Sequence, residues 1–498
     1  MAVLALMPAG CDDTAAPRMV IDLRIVSPSA GDTAWDLDPV VLIGEASTPA
    51  VGLLPDDSLW WTDNGDSIGR GRRVERRVTA GQHRLALHAR YGPLRDSVER
   101  SLSVRTEGLG RVLWAVPLED QDDINTQFES SGLSLTADGR LLARGRSGNV
   151  LVIAPDGSVE LRYDLGFALS HAPPAIGPTG TAYYGIVGIS FGPGFRGQLA
   201  WSPSEGLRWT FNIGDFGPLS EETPFGGSAV DAAENVYFAT STFDMPLWST
   251  TRDGALRWRS ATRPMSVTRS WGWVALVQDS LAVVMASYAD SAVAVSTADG
   301  AVRWTVPVGS GWGSICRAAV AVGSGGTVYV PSSDGGVAAV GPSGQVIWPN
   351  AGGDTRFHAP VVGADAVYGA VLEGGAVRIR IPSAAVDTIG RVEGTSLNRG
   401  AGATLGRNDV LYVAGQDTLY SFAADGTRRF ATPMAHRGAA CWGFGDAPVI
   451  GADGTVYVRT TGGDGVVAFR DTVGPSTTAP WPTLQGNFQR TGRVATGT

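Results

Sequence analysis

Lysine is absent from this chain of 498 residues, and all 39 basic residues are arginine. GC-rich coding is the simplest explanation, and a demand for the two-pronged anion contacts of arginine is the alternative. The formal net charge is −9, and no basic stretch is long enough to follow a phosphate backbone. The charge therefore argues against a nucleic-acid partner.

Cysteine is nearly absent, and so are long apolar runs. Cys11, Cys316 and Cys441 are too few and too scattered for a disulfide framework or a zinc site with paired cysteines. Cys316 and Cys441 fall in loops of repeats three apart, which favours two separate thiols over a disulfide. No later run approaches the ~20 apolar residues that a membrane-spanning helix requires.

The first cysteine ends the segment MAVLALMPAGC, in which a short apolar run leads into small residues. This segment resembles a bacterial lipoprotein signal, which implies that Cys11 carries a lipid and that membrane contact is through this anchor alone. The alternative is an unmodified cysteine in a cleaved or disordered leader. We therefore interpret residues 1–18 as a signal remnant and tether, and we expect an exported, membrane-anchored protein.

Residues 19–105 alternate apolar and polar positions in short segments interrupted by proline and glycine, which is typical of β-strands. The glycines that follow Trp61, at 65, 69 and 71, give the segment a resemblance to PKD and related immunoglobulin-like domains of bacterial surface proteins. The resemblance implies a small β-sandwich with Trp61 between its two sheets and Trp60 pointing the other way.

A strand-like segment with a large central side chain recurs every 41 to 49 residues through the rest of the chain. Only strand and turn signals separate the repeats, and a period of this length is typical of a β-propeller, in which each repeat is one small sheet. The centres are Trp114, Tyr163, Trp209, Trp258, Trp304, Trp348, Ile389 and Phe430.

The segments TADGAVRW, TRDGALRW and GPSGQVIW resemble the repeats of the PQQ-type propeller family, in which a tryptophan docks between neighbouring blades. The resemblance implies an all-β protein with an eight-bladed propeller over residues 110–474, preceded by the immunoglobulin-like sandwich over 19–105. It assigns blade docking to the aromatic repeat centres. The opening strand, residues 111–118, should complete the eighth blade beside residues 466–470. We expect the C-terminal residues 475–498 to pack across this closure.

Several enzymes of the PQQ-type family bind a quinone and calcium, but the sequence supports neither ligand here. It has no adjacent cysteine pair and no CxxCH haem motif. The acidic clusters at 120–123 and 221–222 lack alternating ligand spacing and are better explained as solvated loops. We therefore predict no catalytic residue, cofactor or metal. The plan resembles that of BamB-like lipoproteins, which are lipid-anchored propellers without a cofactor.

The loops that join successive blades should gather at one side of the ring, and several contain tryptophan or arginine, which suit contact with a protein or glycan. The candidates are Trp271, Trp273, Trp312, Trp442, Arg269, Arg317, Arg399 and Arg437. Tryptophans that only fill gaps between twisted blades are the alternative. His171 and His358 both precede Ala-Pro, which repeat geometry explains without a metal.

We therefore expect a non-catalytic binding or scaffold protein of the bacterial envelope. The alternatives are a PQQ-dependent dehydrogenase and a structural or adhesive surface protein that acts through its immunoglobulin-like domain.

Overall fold

The computed structural model of the protein describes residues 20–36, 39–105, 108–118, 132–144, 148–170, 172–189, 195–216, 226–240, 246–260, 272–286, 291–309, 319–332, 335–353, 357, 359–371, 374–392, 402–415, 417–434, 447–460 and 465–494. The chain divides into two compact units, Met1–Gly108 and Leu109–Thr498. Within the described ranges both units are all-β, with short 3-10 turns at Asp56–Ser58, Ile213–Phe216, Ser324–Gly326 and Arg407–Asp409. None of the helical segments in these ranges has the length and apolar character to cross a bilayer.

The first unit is a sandwich of two sheets. Its strands are β1 (Asp22–Ser27), β2 (Thr33–Trp35), β3 (Pro39–Thr48), β4 (Gly52–Leu53), β5 (Leu59–Asp63), β6 (Asp66–Arg70), β7 (Arg73–Arg77), β8 (Gly81–Tyr91) and β9 (Leu94–Arg105). One sheet joins β1, β4 and β7 to β3, and the other has the order β2-β9-β8-β5-β6.

The core of this unit follows from strand alternation, because successive side chains point to opposite faces of a sheet. Trp61, Leu85 and Leu87 are fully buried between the sheets. The indole of Trp61 donates a hydrogen bond to the carbonyl of Gly71 at 3.1 Å. Trp60, one residue earlier, lies on the outer face and is half-buried.

The second unit contains eight sheets among its described residues. We number them in chain order, and each of the first seven uses consecutive strands. Sheet 1 is β11 (Ser134–Leu135), β12 (Leu141–Arg144), β13 (Asn149–Ile153) and β14 (Val159–Asp164). Sheet 2 is β15 (Phe167–Leu169), β16 (Ala175–Ile176), β17 (Ala182–Ile189), β18 (Gly197–Ser202) and β19 (Gly206–Asn212). Sheet 3 is β20 (Ala229–Val230), β21 (Val236–Ala239), β22 (Leu247–Thr250) and β23 (Leu256–Arg259).

Sheets 4 to 7 repeat the same plan of four antiparallel strands. Sheet 4 is β24 (Ala275–Val277), β25 (Leu281–Ala286), β26 (Ser291–Ser296) and β27 (Val302–Pro307). Sheet 5 is β28 (Ala321–Val322), β29 (Val328–Pro331), β30 (Val337–Val340) and β31 (Val346–Ala351). Sheet 6 is β32 (Val361–Val362), β33 (Ala366–Val371), β34 (Gly375–Arg380) and β35 (Val386–Arg391). Sheet 7 is β36 (Gly402–Leu405), β37 (Leu411–Ala414), β38 (Thr418–Phe422) and β39 (Arg428–Pro433).

Sheet 8 joins the two ends of the unit. It contains β40 (Val449–Ile450), β41 (Val456–Arg459), β42 (Val466–Phe469) and, as its fourth strand, β10 (Val112–Val116). Ala115 pairs with Val467 and Val116 with Val466 in an antiparallel ladder. The repeat count, taken with the resemblance to PQQ-type propellers, predicts this pairing, and it is present. It removes the edge that β42 would otherwise expose.

Each sheet packs against the next, because a small sheet cannot bury both of its faces alone. Leu142 of sheet 1 and Tyr184 of sheet 2, for example, belong to one buried cluster. Another cluster contains Leu419 of sheet 7, Tyr457 of sheet 8 and Leu141 of sheet 1, so the last sheets pack on the first. The first strands of neighbouring sheets, such as β24 and β28, lie side by side and are therefore the innermost ones.

Candidate functional site

Large side chains on the outermost strands fasten each sheet to its successor. The indole N–H of Trp258 in sheet 3 donates a hydrogen bond to the carbonyl of Thr297 in sheet 4 at 2.9 Å. The bond recurs at four other junctions: Trp114 to Pro155, Trp209 to Arg252, Trp304 to Pro342 and Trp348 to Pro382, at 2.7 to 3.2 Å. Tyr163, Ile389 and Phe430 occupy the corresponding strands of sheets 1, 6 and 7.

Glycine in the receiving turn allows the ring to approach. Gly300 has φ +72°, and a Cβ built there would lie 2.6 Å from the ring of Trp258. The preceding aspartate closes this turn, since the carboxylate of Asp299 accepts a hydrogen bond from the backbone N–H of Ala301 at 3.1 Å. That bond is the largest of the effects that lower the pKa of Asp299. Asp-Gly in these repeats therefore forms a tight turn against which the aromatic side chain of the neighbouring sheet packs.

Tyrosines of the second strands form an inner layer beneath these rings. Tyr329 lies 5.6 Å from Trp348 and Tyr237 lies 5.9 Å from Trp258, between ring centroids within one sheet. Burial raises the pKa of Tyr329 to about 12 and that of Tyr457 to about 12. These phenols therefore stay neutral at ordinary pH and act as packing groups.

A buried ion pair joins sheet 7 to the end of sheet 8. The guanidinium of Arg429 contacts both carboxylate oxygens of Asp471, at 2.6 and 2.8 Å, and Asp471 is fully buried. Asp471 also accepts a hydrogen bond from the hydroxyl of Tyr412 at 2.8 Å. This two-pronged contact fixes the point at which the chain leaves the last sheet.

Beyond that point the C-terminal segment, residues 474–494, runs along the innermost strands. The backbone N–H groups of Leu135 and Ile176 donate hydrogen bonds to the carbonyls of Phe488 and Gln489. Four other inner strands make the same contact: Val230 with Thr491, Leu276 with Gly492, Val362 with Trp481 and Leu405 with Pro482, at 2.6 to 2.8 Å. We expected the segment to pack across the closure, which it does through Arg490, and it also contacts strands around most of the ring.

Arg490 anchors this segment. Its side chain is fully buried, and its guanidinium donates hydrogen bonds to the carbonyls of Leu133 beside sheet 1 and Ala447 beside sheet 8, at 3.0 and 2.9 Å. It also bonds Leu484 O and Thr483 Oγ1 within the segment at 2.7 and 2.8 Å. One side chain thus connects the segment to both sides of the ring closure.

The centre of the ring is filled by the chain's own side chains. Leu484 packs with Trp273 and with Ala172, Ala319 and Ala447, which precede innermost strands of different sheets. Trp273 is 1% exposed. A Cβ at Gly227 would overlap both Trp273 and Gln485, so close packing explains the glycine.

The burial of Trp273 corrects one sequence-based assignment. We expected this tryptophan on a partner-binding face, but the hub encloses it, as the gap-filling alternative supposes. The sequence signal was ambiguous because Trp273 lies between a loop and β24, two residues before the strand begins.

The other binding candidates belong to segments of the sequence that join successive sheets. In four-stranded antiparallel sheets, the loops between sheets and the loops between second and third strands share one side, which we call the loop side. The turns between first and second and between third and fourth strands share the other, the turn side. Outside the described residues lie Trp271, Trp312, Trp442, Arg269, Arg317, Arg399 and Arg437, and also Cys11, Cys316, Cys441, His171, His358 and the acidic clusters at 120–123 and 221–222.

The described residues contain no group of three or more His, Cys, Asp or Glu side chains placed to hold a metal ion. What sequence reasoning missed is the role of the C-terminal segment: Leu484, Gln485 and Arg490 build the hub. The signal was visible, since QGNFQRTGR combines turn-forming residues with arginines at the end of the chain.

Comparison with known proteins identifies the kind of propeller. Residues 197–387 match the family described as "Outer membrane protein assembly factor BamB". BamB from Moraxella catarrhalis is 16% identical with a TM-score of 0.55, and the match covers 72% of this chain and 99% of that one. Sqt1 from Saccharomyces cerevisiae is 10% identical with a TM-score of 0.52, and the match covers 73% and 99%. No curated protein matches this chain. At these identities the likeness shows the fold, a β-propeller with PQQ-like repeats.

Proposed function

We propose that this protein is an exported, lipid-anchored scaffold of the bacterial envelope, in which an eight-bladed propeller holds a protein partner on its loop side. One observation carries the proposal: the C-terminal segment fills the hub, with Leu484 against Trp273 and Arg490 bonded to Leu133 and Ala447. A filled hub leaves the outer surface for recognition. In the segments that join successive sheets, the sequence concentrates tryptophan and arginine, the residue types enriched at protein interfaces.

The match of residues 197–387 to an outer membrane protein assembly factor supports the choice of partner class. We infer that the partner belongs to the machinery that assembles outer-membrane proteins. The immunoglobulin-like sandwich, residues 19–105, is then an added module of the same scaffold.

Affinity capture from envelope extracts tests the loop side. The intact protein should retain one partner, identified by crosslinking and mass spectrometry. A variant with Trp271→Ala, Trp312→Ala and Trp442→Ala should lose most of it, because truncating aromatic anchors removes a large share of interface free energy. The matched control carries Arg252→Ala and Arg303→Ala on the turn side, where both arginines pair with exposed aspartates. Equal capture by the two variants would show that the loop side is not the partner-binding surface.

The lipid anchor has its own test. Cys11→Ser should move the protein from the membrane fraction to the soluble fraction. A protein that stays in the membrane fraction is held there by something other than a lipid on Cys11.

Two further measurements separate the competing functions. Calcium-dependent binding of added quinone cofactor, followed by absorbance, would favour a dehydrogenase; we expect none, because Leu484 and Trp273 fill the hub. Deletion of residues 19–105 should leave partner capture intact, whereas loss of capture would assign the contacts to the sandwich.

A further inference from the structure

The outer face of the β2-β9-β8-β5-β6 sheet in the first unit has a flat aromatic centre. Trp60 on β5 pairs with His88 on β8. Their rings are stacked, with centroids 5.1 Å apart and planes 11° from parallel. His88 is held by a hydrogen bond with the hydroxyl of Thr62 at 3.0 Å. The stack is half-buried, so part of the indole remains accessible to solvent.

Arginines surround this stack. Arg70 on β6 pairs with Trp60 on the side away from His88. Arg90 and Arg95 face each other across the β8-β9 hairpin, and Arg90 lies two residues from His88, hence on the same face. Like charges directly opposite each other destabilise a sheet, so the stability of the sheet does not explain why two arginines occupy these positions.

These arginines are not neutralised by the protein within the described residues. The side chains of Arg70 and Arg95 make no hydrogen bond or ion pair there, and the side chain of Arg90 makes only a 3.5 Å contact with the carbonyl of Gly92. Glu99 on the same face is already paired with Arg84 through a 2.7 Å hydrogen bond. The face therefore presents an aromatic ring and three exposed positive charges to a ligand.

We propose that this surface, the Trp60 face, binds an acidic polysaccharide. A sugar ring packs on the accessible part of the Trp60 indole, and the carboxylates of neighbouring uronic acid units bind Arg70, Arg90 and Arg95. Guanidinium groups match carboxylates in a two-pronged geometry, which suits a chain whose basic residues are all arginine.

Other anionic partners fit this face less well. Binding to a lipid surface uses inserted apolar side chains or a cluster of at least four basic residues. The Trp60 face offers three unpaired arginines, and its indole is half-buried. A nucleic acid is disfavoured by the net charge of −9. The proposal concerns the first unit and does not depend on the function of the propeller.

Calorimetric titration of the full chain with a polyuronate tests the proposal. We expect binding in low salt that weakens as ionic strength rises, because exposed charges are screened. Trp60→Ala should weaken binding at least about ten-fold, as truncation of a central aromatic anchor does. Arg70→Gln combined with Arg95→Gln should also weaken it while leaving the indole in place.

The matched control is Arg77→Gln. Arg77 lies on β7 in the other sheet of this unit, and it is exposed and has no described side-chain partner. It should bind as the unchanged protein does, and the melting temperature of each variant checks that it is folded. Uncharged dextran and vesicles of anionic phospholipid serve as competing ligands. Binding to vesicles but not to the polyuronate, equal binding of dextran, or full affinity in folded Trp60→Ala would each overturn the proposal.

Discussion

At the scale of single residues, the ring is held by a small contact that recurs between sheets. A tryptophan N–H donates a hydrogen bond to a carbonyl of the next sheet, and a glycine in the turn of that sheet leaves space for the indole. Where sheet 6 has Ile389 instead of an aromatic residue, Gly426 lies against the backbone of Ile389. Close approach of the turn is thus preserved where the hydrogen bond of the indole is not available.

Two glycines separate the effect of backbone strain from the effect of ring contact. Gly180→Ala places a side chain at φ +83° in open space, so we expect a loss of about 1 kcal/mol in unfolding free energy. Gly300→Ala adds overlap with Trp258 and should cost about 1 to 3 kcal/mol more. Denaturant titration of both variants measures the difference, and equal losses would show that the ring contact contributes little.

At the scale of elements, the C-terminal segment acts as an inner lining for the innermost strands. Its carbonyl groups accept hydrogen bonds from the backbone N–H groups of six innermost strands. Arg490 spans the junction between sheets 8 and 1. Residues 479–486 of the segment are all buried although they form no regular strand.

Arg490→Ala should lower the unfolding free energy of the propeller by about 3 kcal/mol or more, because buried carbonyls of Leu133 and Ala447 lose a charged donor. Arg493→Ala is the control. Arg493 pairs with Asp279 at 2.6 Å, but both side chains are partly exposed, so its loss should cost about 1 kcal/mol or less. Similar melting temperatures for the two variants would contradict the anchoring role of Arg490.

The strands and their pairing were predictable because they depend on local patterns that repeat. The Asp-Gly turns and the aromatic centres follow from spacing in the sequence. The pairing of β10 with β42 follows from the repeat count together with the resemblance to PQQ-type propellers. The hub was not predictable, because Leu484 meets Trp273 through contacts between residues far apart in the chain. Trp60 could be placed on an outer face from alternation with Trp61, whereas its stacking on His88 depends on strand register.

At the scale of the whole molecule, the two units have separate hydrophobic cores. Trp61 is fully buried in the first unit, and Trp201 of sheet 2 is fully buried in the second. Each core can therefore be weakened without removing contacts from the other.

Trp61→Ala should lower the midpoint temperature of one calorimetric transition. Truncating a buried tryptophan costs about 3 to 5 kcal/mol, which is a large part of the stability of a small sandwich. Trp201→Ala should lower that of the other transition. If either variant shifts both transitions equally, the units unfold as one cooperative body.

The pairing of β10 with β42 has a consequence for biogenesis. The first strand of the second unit, β10, ends at Val116, and its partner β42 begins only at Val466, so β10 must wait for a partner that is synthesised much later. The ring therefore cannot close on a nascent chain until translation is nearly complete.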